Sequence, residues 1–347
     1  GSSSGSAAAV AASLCAAALG SETNGSIVCP SSLCGVVGIK PTVGLTSRAG
    51  VIPISATQDT IGPHGRTVAD AALVLGAIAG PDPADPATAA SAGRALGDYT
   101  QFLDRHGLRG ARVGILRDKR VCGYHPGSDH ITERAVELMA AQGAAVVELS
   151  NLPAKVDEAS AAEYEVLLYE LKAGLNAYLT GCGGDLPRSL AELIAFNEAH
   201  AEEELCYFGQ ERFLAAQAKG GLDEPTYRQA LGQSRDASRV LIDELLGMHQ
   251  LDAIVMPSAS PAWPIDLING DHFLGGSSDL AARAGYPLIS MPAGDIHGLP
   301  VGINLMGRAF AEPTLIRLAY AFEQAAKARR PPQFKPTLEL PSYASHI

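Results

Sequence analysis

The sequence predicts an α/β protein, and three observations carry that reading. Residues 112–116, 131–142 and 144–149 alternate as strand, helix and strand, a βαβ pattern that implies parallel strands joined by a right-handed crossover. Residues 288–292 and 301–306 are apolar runs on either side of a Gly-Asp-Ile-His-Gly-Leu-Pro turn and read as a hairpin, so the sheet also has antiparallel members. With 347 residues, 47% of them hydrophobic, the chain can bury a large core, enough for one large domain or two.

Taken in order, residues 6–19 are almost all Ala, Val, Leu and other small side chains. That composition favours a helix that is apolar all round and therefore buried. Residues 20–26 read Gly-Ser-Glu-Thr-Asn-Gly-Ser, a turn-rich segment. Gly and Asn tolerate positive φ there, and successive N–H groups can point into one cavity, which is how backbone builds an oxyanion hole. Ser26 follows a glycine that leaves its Oγ open to a substrate, and is the candidate nucleophile. Residues 35–39 read as a buried strand ended by Pro41, residues 51–54 as a short apolar piece, and 58–63 as a turn-rich loop. Thr67 starts a helix over 66–79, and the Pro-Asp-Pro-Ala-Asp-Pro run at 81–86 is a rigid polar linker. Residues 159–248 are nearly all helical, with breaks at 181–184, Pro187 and Gly220-Gly221. A buried strand follows at 251–256, then a segment holding the single tryptophan, Trp263. A final helix spans 312–328, and the Pro-rich tail from Pro331 is expected along the surface.

Composition removes several classes of function. With 26 basic and 37 acidic residues the net charge is −11, and no clustered basic patch points to nucleic acid or an anionic membrane. Arg329 and Arg330, with Lys327, read as charge at a helix C-terminus, Glu202, Glu203 and Glu204 with His200 as a solvated face. No apolar run reaches membrane-spanning length. The six cysteines are too few and too irregular for a disulfide framework, and are expected to be small core residues. Neither a metal-binding signature nor a phosphate or dinucleotide loop is present, so no metal and no cofactor is expected.

A serine hydroxyl becomes a good nucleophile only when a base removes its proton. No histidine occurs before His64, and the remaining eight show no pattern that selects a partner for a Ser-His-Asp triad. Residues 1–5 match Gly-x-Ser-x-Gly in form, but that elbow requires a strand directly before it.

The run Gly-Ser-Ser-Ser-Gly-Ser-Ala-Ala-Ala-Val-Ala-Ala, followed by Thr-Asn-Gly-Ser-Ile and Cys-Gly-Val-Val-Gly-Ile-Lys-Pro-Thr, resembles the core motif of the amidase signature family. In that family the nucleophilic serine lies 24 positions after the first serine of a Ser-Ser pair, and 26 minus 24 gives Ser2 without a gap. The resemblance implies a large mixed, twisted β-sheet covered by helices on both faces. It also implies that Ser26 is the nucleophile and Ser2 the relay serine behind a cis peptide bond. The N–H groups of Thr23, Asn24, Gly25 and Ser26 would form the oxyanion hole. Lys40 matches a structural position of the family, and Asp59 one that packs under the site.

The family's third catalytic member is a lysine upstream of the serine pair, and this chain begins one residue before Ser2. The expectation is a single amidase signature domain over 1–347, truncated at its N-terminus, with a serine core at 1–80 and a mainly helical insertion at 159–248. The segments around Trp263, 271–278 and Gly-Leu-Pro-Val-Gly-Ile-Asn-Leu-Met-Gly resemble the peptide amidase branch, and Trp263 and Phe273 are the expected pocket walls. The implied activity is hydrolysis of a carboxamide, the C-terminal amide of a peptide, to carboxylate and ammonia through an acyl-enzyme on Ser26. Two alternatives stand beside it: the glutamine-hydrolysing subunit of a tRNA amidotransferase, and a non-catalytic amide-binding homologue or fragment lacking the lysine. The expected partner is a small amide or peptide amide, with neither nucleic acid nor membrane. The expected compartment is the cytoplasm, with export left open by the absent upstream segment; oligomeric state is not read from the sequence.

Overall fold

The computed structural model describes residues 1–150, 152–184 and 186–334. The apolar segments become eight strands: β1 Ala17–Glu22, β2 Val37–Lys40, β3 Thr60–Gly65, β4 Arg112–Arg117, β5 Ala145–Ser150, β6 Ala253–Pro257, β7 Leu288–Ile296 and β8 Leu299–Met306. They form one sheet in the order β1-β3-β2-β7-β8-β6-β4-β5. The pairs β4·β5 and β4·β6 are parallel and the others antiparallel, so the sheet is mixed, as expected.

Side chains on successive strand residues point to opposite faces, and here both faces are covered. Val255 joins Ile289, Ile303, Leu315 and Phe322 in one apolar cluster, whereas its neighbours Ile254 and Met256 join Val28, Ile242, Leu246 and Met306 in another. The final helix Glu312–Ala326 lies on the first face, and the end of the helical segment 225–248 on the second. Residues 335–347, which hold most of the predicted surface tail, lie outside the described residues.

The helices referred to below are α1 Ser4–Ala11, α2 Val28–Cys34, α3 Val68–Ile78, α4 Pro126–Ala141 and α5 Lys155–Gly181, the last of which opens the helical segment. The predicted start of α3 is confirmed in detail: Thr67 Oγ1 accepts from Asp70 N, and the Asp70 carboxylate accepts from Thr67 N. The βαβ unit is β4, α4 and β5, in the predicted place.

Four expectations are corrected. The helix expected over 6–19 ends at Ala11, and residues 17–22 are strand β1. Nor is α1 buried all round: Ala7, Val10 and Ala11 face inward, whereas Ala8 is exposed. The loop expected at 58–63 is largely strand β3, which pairs with β1 from Ala17↔Gly65 to Glu22↔Thr60. The two errors are the two sides of one strand pair, whose backbone hydrogen bonds outweigh the small helix preference of Ala17 and Ala18 on one side and the turn signal of Gly62-Pro63 on the other. The apolar piece 51–54 forms no element, and Val51, Ile52 and Ile54 are exposed. The cysteines are unpaired, as expected, but not core: five are half-buried and Cys206 is exposed. Among the described residues no helix is long and apolar enough to cross a membrane, and no cluster of side chains could hold a metal ion.

Candidate active site

Strand β1 delivers the chain into residues 23–26, and α2 starts two residues after Ser26. The turn is held from behind by Glu22. Its Oε2 accepts from Ile27 N at 2.7 Å and Val28 N at 3.0 Å, so a buried carboxylate caps the helix that follows Ser26. Lys40 is fully buried, and its Nζ donates to Tyr286 O at 2.6 Å. Burial pushes its pKa down to about 8 against the opposing pull of Glu22 and Glu312. This is a structural tie, as the resemblance implied.

Gly25 has φ of +81°, a region that favours glycine, and a Cβ there would lie 3.0 Å from Ser278 Oγ, close enough to press on that hydroxyl. Among the described residues the N–H groups of Thr23, Asn24, Gly25 and Ser26 donate to no protein acceptor. Four consecutive unpaired donors in a half-buried turn are unusual, because buried N–H groups are almost always satisfied.

The first residues lie against this turn. Ser3 N donates to Ser26 O at 3.2 Å, and a Cβ on Gly1 would sit 3.2 Å from Ser26 Cα and 2.9 Å from Pro30 Cδ. The chain thus brings the Ser2 segment to the Ser26 segment, although neither hydroxyl hydrogen-bonds to a described residue. The Gly1–Ser2 bond is trans, where the resemblance implied cis. A non-proline cis bond needs surrounding packing to hold it, and Gly1 and Ser2 are both exposed. His64 is buried and pairs through Nδ1 with Ser31 Oγ at 2.9 Å; burial lowers its pKa to about 4, so it is a neutral core histidine.

A polar network clamps residues 23 and 24 from the side. Thr23 Oγ1 donates to Asp59 Oδ1 at 2.6 Å, while Asp59 Oδ2 accepts from Ile54 N and Ser55 N. Asp59 is therefore a scaffold for the turn; burial raises its pKa and these bonds oppose the rise. Asn24 Nδ2 donates to Glu163 Oε1 at 2.8 Å, and Asn24 Oδ1 accepts from Ser278 Oγ at 2.6 Å. Gln58 Nε2 donates to the same Glu163 oxygen at 2.9 Å and to Thr23 O at 3.3 Å. Arg283 Nη1 reaches Glu163 Oε2 at 3.2 Å, a pair in which both partners are buried. Sequence reading missed Gln58, Glu163, Ser278 and Arg283. Only Arg283 had a visible signal, a lone charge in the apolar run Leu-Ala-Ala-Arg-Ala.

Trp263 and Phe273 belong to the long loop 258–278 between β6 and the helix Asp279–Ala284. Their ring centroids are 5.6 Å apart, and Trp263 Nε1 donates to Asp271 Oδ1 at 3.0 Å. Trp263 is half-buried and Phe273 is 52% exposed, so neither ring is core. The loop's far end delivers Ser278 to Asn24, and Gly275 packs on the Tyr124 ring. The aromatic pair and the serine turn are thus joined by one short stretch of chain.

The family model described as Amidase matches residues 1–316. The Arabidopsis thaliana protein named "Probable amidase At4g34880" is 44% identical over 341 residues, covering 96% of this chain and 61% of that protein. A glutamyl-tRNA(Gln) amidotransferase subunit of Thermosynechococcus vestitus is 37% identical over 344 residues, covering 93% of this chain and 67% of that one. Among solved structures, native peptide amidase from Stenotrophomonas maltophilia superposes with a TM-score of 0.89 at 51% identity, covering 96% of this chain and 67% of that chain. Peptide amidase PAM in complex with the competitive inhibitor chymostatin gives 0.92 at 52% identity, covering 96% and 68%. This chain therefore spans 61% to 68% of the length of these relatives.

Proposed function

Because the chain belongs to the amidase family, we propose that it carries the acylation centre of a serine amidohydrolase with Ser26 as the nucleophile. The single observation that carries the reading is the turn 23–26, whose four N–H groups have no acceptor among the described residues and precede a helix with a buried cap. Donors held in place before a charge develops stabilise it without reorganisation, each contributing about 10²–10³-fold in rate.

In the reaction, Ser26 Oγ attacks the carboxamide carbon as its proton moves through the Ser2 hydroxyl to the base. The carbonyl oxygen becomes an oxyanion among the N–H groups of Thr23 to Ser26. When the C–N bond breaks, the same relay returns a proton to the departing nitrogen, which leaves as ammonia. Water then attacks the acyl-enzyme, and the acid departs with Ser26 restored. The base is the lysine that the resemblance places upstream of Ser2, and general base catalysis contributes about 10²–10⁴-fold. The proposed substrate is the C-terminal amide of a peptide. Support comes from 51–52% identity to peptide amidases, against 37% to the amidotransferase protein, and from the aromatic pair tethered to the turn.

The test is ammonia release from a C-terminally amidated dipeptide, with mass spectrometry of the trapped acyl group. The chain is assayed alone and with a lysine-bearing segment added upstream, each beside its Ser26→Ala counterpart. The expected result is an adduct on Ser26 and serine-dependent ammonia release that rises when the lysine segment is present. An acyl group on another residue, or undiminished release by Ser26→Ala, would overturn the assignment. Release from free glutamine in preference to peptide amides would establish the amidotransferase-type reading, and amide binding with no adduct on either chain the non-catalytic one.

A further inference from the structure

We propose that Glu163 is a positioning residue for the oxyanion-binding turn, acting through the side chain of Asn24; this rests on the reading of residues 23–26 given above. A free turn with four unpaired N–H groups would rotate to satisfy them with its own carbonyls or with water. Here it is prevented from doing so by contacts with distant elements. The Asn24 side-chain amide is held at both ends, at Nδ2 by Glu163 on α5 and at Oδ1 by Ser278 at the end of the 258–278 loop. Residue 23 is likewise held at its side chain by Asp59 and at its carbonyl by Gln58, which itself leans on Glu163. Glu163 is the node: one oxygen serves Asn24 and Gln58, the other Arg283.

The charge arrangement fits the same role. A lone carboxylate close to a developing oxyanion would oppose it, but Arg283 pairs with Glu163 inside the protein, so the node presents hydrogen-bond acceptors with little net charge. Neither residue needs to touch substrate. Glu163 acts on the geometry of the Asn24 and Gly25 backbone, where an error of a fraction of an ångström weakens every donor at once.

The test separates binding of a tetrahedral anion from binding of a planar amide. In an alkylboronic acid the boron accepts Ser26 Oγ as the serine proton passes to solvent. One B–O bond forms, none breaks, and an anionic tetrahedral boronate places a hydroxyl where the oxyanion would sit. An amidated dipeptide binds without that change. For Glu163→Ala and Asn24→Ala the expected result is a boronate affinity weaker by about 10–100-fold, part of the effect of one donor. The amide Kd should stay within about threefold, and Glu163→Gln, whose side-chain carbonyl still accepts from Asn24, should recover most of the loss.

Unchanged boronate affinity in both variants, or equal losses for boronate and amide, would overturn the proposal. If Ser26→Ala binds the boronate as tightly as the natural chain, the nucleophile assignment fails instead. Should Glu163→Ala not fold, because Arg283 is left buried and unpaired, Asn24→Ala removes the same contact from a half-buried turn and decides the question.

Discussion

Glu22→Ala is the perturbation that probes most directly how the chain builds the turn around Ser26. The Glu22 side chain is 1% exposed, and its Oε2 accepts two charge-assisted hydrogen bonds, from Ile27 N and Val28 N. Each such bond contributes about 1.5–3 kcal/mol net, and the two N–H groups left behind would be buried without acceptors. Against this, Glu22 Oε1 is buried with no partner among the described residues, so its removal relieves about 1–3 kcal/mol of desolvation. At mid-range values the balance is a loss of about 2.5 kcal/mol, a large part of the 5–15 kcal/mol that typically holds a domain together. The assay is urea unfolding, read as a lower midpoint with an unchanged slope. Amide hydrogen exchange should show Ile27 and Val28 exchanging faster while β7 and β8 do not. Lys40 also loses one of the carboxylates that raise its pKa, so it should titrate below about 8. A loss under about 1 kcal/mol, or unchanged exchange at those two amides, would refute the capping role of Glu22.

The buried His64 makes stability depend on pH. Its pKa is about 4 in the folded chain against 6.5 unfolded, so between these values the unfolded state binds the proton and the folded state does not. Stability from this group is therefore full above pH 6.5 and falls as pH drops towards 4, by about 3 kcal/mol over the window. His64→Asn, which keeps a polar atom near the Nδ1 position, should flatten that part of the dependence when urea midpoints are compared at pH 7.5, 6 and 5; an unchanged slope would assign it elsewhere. Trp263→Ala removes a half-buried ring from a loop, so unfolding should shift by no more than about 1 kcal/mol. The effect is expected in KM, larger for amides that follow a bulky residue than for glycinamide. Equal changes for both would take Trp263 out of the pocket wall.

Much of this protein was readable from neighbouring residues. The alternation across β4, α4 and β5, the turn between β7 and β8, and the Thr67 cap of α3 all appear in the structure where the pattern put them. Ser2 and Ser26 were picked out by the resemblance of their segments to the family's core motif, and the fold lays those segments against each other. Such signals are local, since periodicity, capping and motif spacing depend on residues a few positions apart. Other features depended on distant partners. The segment 17–22, which ends the alanine-rich run, is a strand because β3 pairs with it residue for residue, and nothing within the segment announces that. Trp263 could have been core or pocket by composition, and only the course of the 258–278 loop places it outside the core, against Phe273 and Asp271. Glu163 looked like one more glutamate in a long helix until folding buried it against Asn24, Gln58 and Arg283. The sequence by itself determined the α/β class and the strand and helix order of its central βαβ unit and hairpin. Tertiary structure decided which residues hold the donors of the turn still, because a buried carboxylate takes its role from the partners that exclude water from it, and those partners are brought together only by the packed fold.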